Sequence, residues 1–239
     1  MVVVLFDLDG TIMLSGGAGR RAMEHVFERK FGVPDGFDGI LPDGKTDPEI
    51  FREMIAKRGV DVEDEDATLA ELHDMYIDRL RVEMPSSERA VLMPGVRELL
   101  RELKGLPNVA LGLLTGNYEE GARIKLSRFG LQDFFEFGAF GSDHESRPEL
   151  VKIAIERAEK LYGQPIEMGK HIVIIGDTPR DVECARLFGL TCIGVATGRY
   201  SVEELKRVGA DYAFEDLSDT RRIVEIILSC DKREAKHEG

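Results

Sequence analysis

The sequence predicts an α/β fold: a doubly wound parallel sheet with a small helical domain inserted after the first strand. Three observations carry this. Apolar runs of strand length recur along the chain, helical patterns alternate with most of them, and one early segment has helical periodicity alone. The first run, Val-Val-Val-Leu-Phe at 2–6, is dense enough for a strand buried on both faces, as in a parallel sheet. Later runs fall at 109–114, 134–140, 171–176 and 192–195, with a weak last one at 212–214. Between them Val96, Leu99, Leu100 and Leu103 keep helical spacing, as do Val151, Ala154, Ile155, Ala158 and Tyr162.

The segment 15–87 breaks the rhythm. Met23, Val26, Phe27 and Phe31 mark one helix in it, Ile50, Phe51, Met54 and Ile55 a second, and Leu69, Leu72, Tyr76 and Leu80 a third. Ser-Gly-Gly-Ala-Gly at 15–19 and Pro-Ser-Ser at 85–87 bracket it with turn-forming residues. Residues 15–87 are therefore expected to form a hinged helical domain, and residues 1–14 and 88–239 the α/β core. A helical unit beside the carboxyl edge of a sheet can cover a site there and exclude water. The charged tail 231–239 is expected to fray.

Composition narrows the function classes. The 239 residues suffice for a real core, and 43% are hydrophobic, as in an ordinary globular protein. The 32 Lys and Arg against 45 Asp and Glu give a net charge of -13, which argues against nucleic acid as a partner, since no basic face is left to neutralise phosphates. A small anionic substrate stays open, because a metal and a few local donors override the global field. Cys184, Cys192 and Cys230 form no framework, which favours a reducing compartment, and the five scattered histidines argue against zinc. The first apolar run, cut by Asp7, is too short for a signal peptide, and no stretch reaches membrane-spanning length. A cytoplasmic protein with no membrane partner is expected; nothing in the sequence addresses its oligomeric state.

The acids at strand ends carry the chemistry. Asp7 and Asp9 follow the first strand, where ligands bind in open α/β sheets, and would share a face if the strand ran that far. One carboxylate can attack an electrophile while the other handles a proton, and together they can hold a divalent cation. Asp177 also ends an apolar strand; beside Asp7 it would make the hard-oxygen site that Mg²⁺ prefers. Thr178, Pro179 and Asp181 read as a capping box at the start of the next helix. Thr115 and the backbone N–H groups of Gly116 and Asn117 would face an anion at the sheet edge, unless Asn117 simply caps a helix starting near Tyr118. Ser146 and Glu149 read as a second capping box, and Arg147 between them would place a fixed positive charge at the same edge.

The order Asp-x-Asp-Gly-Thr, Thr-Gly-Asn, a basic residue, then Gly-Asp-Thr-x-x-x-Asp resembles the haloacid dehalogenase superfamily, and within it the phosphoglycolate phosphatase-like enzymes with a helical cap after the first strand. The resemblance spans nearly the whole chain and implies a Rossmann-like core with a cap domain. It implies an Mg²⁺-dependent phosphatase acting on a small phosphorylated metabolite, with Asp7 as nucleophile and Asp9 as acid and base. By it, Gly10, Thr115, Gly116 and Asn117 hold the phosphoryl group. Mg²⁺ sits on Asp7, Asp177 and the backbone carbonyl of Asp9, with Asp181 in support. The family's basic residue is usually Lys, and here it is Arg147, with Lys152 one turn on as the other candidate. Gly44-Lys45-Thr46 resembles the cap segment that reaches the cleft, where Lys45 would touch substrate. Asp9 itself argues for phosphate esters over alkyl halides, which release their leaving group without a proton.

Three other readings remain open: a phosphomutase of the same fold, a P-loop nucleotide hydrolase and a non-catalytic binding module. The second rests on Gly39-Ile-Leu-Pro-Asp-Gly-Lys-Thr46, which matches the P-loop pattern in full. That pattern requires a strand immediately before it, and Gly32, Pro34 and Gly36 make a poor one. Pro42 also removes a phosphate-binding N–H. The plainer reading is a loop leading into a helix, with Thr46 or Asp47 as its cap and Pro48 in its first turn.

Overall fold

The computed structural model describes residues 1–231; the tail expected to fray lies outside them except for Asp231. Six strands form one parallel sheet: β1 (Val2–Phe6), β4 (Val109–Leu114), β5 (Phe137–Ala139), β6 (Ile172–Gly176), β7 (Thr191–Val195) and β8 (Tyr212–Phe214). Their spatial order is β5-β4-β1-β6-β7-β8, so β1 lies centrally between β4 and β6. Alternation along β1 explains the dense apolar run. Val2, Val4 and Phe6 enter the core on one face, Val3 and Leu5 that on the other.

Helices cover both faces. The first core is closed by α4 (Val96–Lys104), α5 (Glu119–Ser127) and α9 (Thr220–Asp231), the second by α6 (Arg147–Tyr162), α7 (Pro179–Leu187) and α8 (Val202–Val208). Leu99, Leu100, Leu103, Ile223 and Ile227, spaced for one helical face each, are all fully buried. The strand expected over 134–140 is shorter. Residues Gln132–Phe134 form a 3₁₀ turn that brings the chain back from α5, and only Phe137–Ala139 pairs, with Gly112–Leu114 of β4.

The segment 15–87 holds α1 (Ala18–Phe31), α2 (Asp47–Arg58) and α3 (Glu65–Glu83). These helices lie over the carboxyl edge of the sheet, with Phe27, Phe51, Met54, Leu72, Tyr76 and Leu80 buried in a core continuous with the sheet's first face. The chain enters and leaves this unit along a two-stranded antiparallel ribbon, β2 (Met13–Leu14) with β3 (Val91–Leu92). The Ser87 hydroxyl donates to the Ser15 carbonyl at 2.7 Å, tying the two bracketing segments together. Gly16 lies in the same crossing at φ 61°, and a Cβ there would come within 2.5 Å of the Arg89 backbone, so the close approach of the two connections needs glycine.

Candidate active site

β1 ends at Phe6, so the strand does not carry Asp7 and Asp9 on one face; the turn beyond it sends their carboxylates to different partners. Asp7 stays beside the sheet, its N–H donating to the Ile175 carbonyl of β6 at 2.9 Å. That pairing brings it next to Asp177, which follows the end of β6, as neighbouring strands require. Carboxylate oxygens of Asp7, Asp177 and Asp181 all lie within 4.8 Å of one another, and the three residues are buried. Asp181 reaches the group from the first turn of α7, where it also accepts from the Thr178 N–H at 3.1 Å and hydroxyl at 2.7 Å, the expected capping box. Thr11 donates to Asp177 at 3.2 Å.

One cation faces the three acids. Arg147, 5% exposed at the start of α6, donates through Nη2 to Asp7 at 3.0 Å, to the Leu114 carbonyl at 3.2 Å, and to Asp181. Its Nε is buried without a hydrogen-bond partner among the described residues. When all are ionised, three carboxylates against one guanidinium leave the group two negative charges in excess. Burial pushes the carboxyl of Asp7 well above the usual range, with Arg147 opposing it; burial and the charge of Asp7 push Asp177 up further. Burial also opposes the charge of Arg147, and Asp181 and Asp7 outweigh it. A divalent cation with a preference for hard oxygens fits this donor set in both charge and chemistry.

Asp9 occupies a second compartment. Its carboxylate, 40% exposed, accepts from Lys125 Nζ at 2.6 Å and from Asn117 Nδ2 at 2.8 Å. Lys125 sits in the last turn of α5, 4% exposed, and donates also to Asn117 Oδ1. Asn117 in turn donates to Thr115 Oγ1 through Nδ2 at 2.8 Å and through its backbone N–H at 3.3 Å. Asn117 is therefore no helix cap; Tyr118 holds that position, and Asn117 orders the acid and the threonine instead. Above this group lies Asp47, buried in the first turn of α2. It accepts from the Tyr118 N–H at 2.8 Å while its own N–H donates to the Gly116 carbonyl at 2.7 Å. Burial pushes Asp47 up to about 6, against the pull of Lys125.

A family model described as haloacid dehalogenase-like hydrolase matches residues 4–195. The chain belongs to that family. Among its curated relatives are a phosphoglycolate phosphatase of Rhodobacter capsulatus, 27% identical over 93% of this chain and 96% of its own, and pyrophosphatase PpaX of Oceanobacillus iheyensis, 24% identical over 92% and 95%. The structure of β-phosphoglucomutase from Clostridium difficile superposes with a TM-score of 0.69 over 98% of this chain and all of that one; at 20% identity this speaks for the fold alone.

Other residues expected at the site of a haloacid dehalogenase-like hydrolase fall less simply. The Gly10 N–H is taken by the Met13 carbonyl at 2.9 Å, so Gly10, at φ 88°, makes the turn after the acids instead of offering an amide to an anion. A Cβ on Gly116 would meet the Lys45 carbonyl at 2.1 Å, so this glycine lets the helical unit dock on the core. Lys45 lines the cleft but gives its ammonium to Glu53. Lys152 lies on the surface, paired with Glu149 at 2.7 Å, and only Arg147 reaches the acids. The capping box expected of Ser146 and Glu149 does not form, because Glu149 is engaged by Lys152. The P-loop reading is overturned: residues 32–46 are turns and loop that follow helix α1 and not a strand, and Thr46 caps α2 in a box with Glu49.

Sequence reasoning missed Lys125 and Asp47. Lys125 lies on the Gly121 and Ala122 face of α5, which marks it as inward but names no partner, and Asp47 at the start of α2 reads as a cap.

Proposed function

We propose that the protein is an Mg²⁺-dependent phosphomonoesterase for a small phosphorylated metabolite, working through an aspartyl-phosphate on Asp7. The observation that supports this most strongly is the separation of the two acids after β1. Asp7 is buried beside Arg147, Asp177 and Asp181, while Asp9 is exposed to the cleft and oriented by Lys125 and Asn117. A buried, charge-compensated carboxylate suits in-line attack on phosphorus, and an exposed, oriented one suits proton transfer to the leaving oxygen and later from water.

In this reading Asp7, Asp177 and the Asp9 carbonyl would hold Mg²⁺, with Asp181 keeping Arg147 in place. When bound, the ion would neutralise charge on the phosphoryl oxygens and release Asp7 from its proton. Arg147 has donor capacity left at Nε to hold a phosphoryl oxygen. Thr115 Oγ1 accepts twice from Asn117, which leaves its own proton to donate to another. Asp7 attacks phosphorus as Asp9 protonates the departing alkoxide; the Asp9 carboxylate then takes a proton from water attacking the aspartyl-phosphate, and phosphate leaves. The docked helical unit limits the water that competes during the first step. Phosphate names among the curated relatives support the same class.

The test is phosphate release from small monoesters with and without Mg²⁺. Release that EDTA stops and Mg²⁺ restores is the expected result. Release indifferent to EDTA would remove Asp177 and Asp181 from their roles, and isomerisation of a sugar phosphate without phosphate release would mean a phosphomutase.

A further inference from the structure

The cleft between the acids and the helical unit has a volume of about 670 Å³. That is the size of cavities that enclose drug-sized ligands, and far more than one phosphate with a two-carbon leaving group would fill. Its floor is the polar site just described. Leu14, Met23, Phe37, Ile40, Leu41 and Ile50 give the cleft an apolar lining beside that floor. Leu41 is 58% exposed and Leu14 42%, large hydrophobic side chains left facing the cleft.

The cations beyond the floor are already matched. Of the cleft-lining residues, Arg20 is paired with Glu24 at 2.9 Å and Asp38 at 3.0 Å, and Arg199 with Asp43 at 3.2 Å. Lys45 is paired with Glu53, which also holds Lys57 at 2.9 Å. Together this rim sets four cations against four acids. Inside, Lys125 serves Asp9, and Arg147 serves Asp7 and Asp181. A carboxylate or second phosphate on the leaving half of a substrate would therefore meet cations that already have acids beside them, and would lie near those acids.

We infer that the substrate is a phosphate monoester of an uncharged alcohol whose leaving half carries an apolar face, and that a second anionic group on that half is selected against. This rests on the phosphomonoesterase reading. It sets the protein apart from enzymes whose leaving half is glycolate or phosphate, although such enzymes share its core.

The experiment compares kcat/KM for ethyl, benzyl and 4-carboxybenzyl phosphate with Mg²⁺ present. The last two release alcohols of closely similar acidity, so their ratio reports the cleft and not the chemistry of departure. Benzyl phosphate is expected to exceed ethyl phosphate at least about tenfold by apolar burial, and 4-carboxybenzyl phosphate to fall at least about tenfold below it through like-charge contact with the rim. Phosphoglycolate and pyrophosphate should fall with the carboxylated ester. Glu53→Gln, which unburdens Lys45, should raise kcat/KM for the carboxylated ester and leave that for benzyl phosphate nearly unchanged. A carboxylated ester equal to or better than benzyl phosphate, or ethyl equal to benzyl, overturns the inference while leaving the phosphatase intact. Turnover of none of these and none of p-nitrophenyl phosphate overturns the phosphatase reading itself.

Discussion

At the scale of single residues, the acids and Arg147 were legible, and the lysine that orients Asp9 was not. Asp7, Asp9 and Asp177 stand out because an acid ending an apolar strand has no structural purpose of its own. Lys125 was hidden because its role depends on where α5 docks, which no local pattern encodes. Asp181 looked like a capping residue and is one, yet its other oxygen binds Arg147. The pairing of Lys125 with Asp9 makes a kinetic prediction. Asp9→Asn should slow benzyl phosphate by about a hundredfold or more, the usual worth of a general acid, and p-nitrophenyl phosphate far less, since that leaving group needs little protonation. Lys125→Met should show the same leaving-group pattern at smaller size. If Lys125→Met slows both esters equally, it does not act through Asp9.

At the scale of elements, the apolar runs placed β1, β4, β6, β7 and β8 to within a residue, and the periodic residues fell inside α1 to α4 and α6, because two-sided burial leaves a dense apolar run and one-sided burial a helical stripe; α8 and α9 were not read. The short pieces escaped. The ribbon of Met13–Leu14 with Val91–Leu92 is two residues long on each side and exists only because the two connections meet. β5 is an edge strand whose length is set by its partner. Docking of the helical unit is equally non-local, resting on Asp47, Gly116 and Tyr118 from three distant segments. Gly116→Ala puts a methyl group against the Lys45 carbonyl, with backbone on both sides and no flexible side chain to yield. Its kcat/KM should fall by about tenfold or more through misplacement of Thr115 and the docked unit, and its Tm should fall as well, because the backbone must shift to admit the methyl group. Unaltered kcat/KM would mean that docking at this point is not needed for turnover.

At the scale of the whole molecule, the buried acids couple stability to pH and to metal. Asp7, Asp47 and Asp177 all have carboxyls pushed up by burial, Asp47 to about 6. The folded protein thus holds protons that the unfolded chain has lost, so metal-free stability falls as pH rises from about 5 through 8. The net charge of -13 pulls the same way. On the proposed reading Mg²⁺ would bind the ionised acids, so its increment in Tm should be larger at pH 8 than at pH 5.5, as thermal denaturation with and without the ion would show. An increment independent of pH would mean that the ion binds elsewhere.

The central claim is that Asp7 is the group phosphorylated. Phosphate release by Asp7→Asn and the unaltered protein, both in saturating Mg²⁺ and both checked for the same cooperative unfolding, tests it most directly. Asparagine keeps the shape and loses the charge that faces Arg147 and would hold Mg²⁺, a loss that saturating ion offsets. The account predicts a fall of at least about a thousandfold, as when a nucleophile is removed from an enzyme that forms a covalent intermediate. Release within a few-fold of the unaltered protein would contradict it.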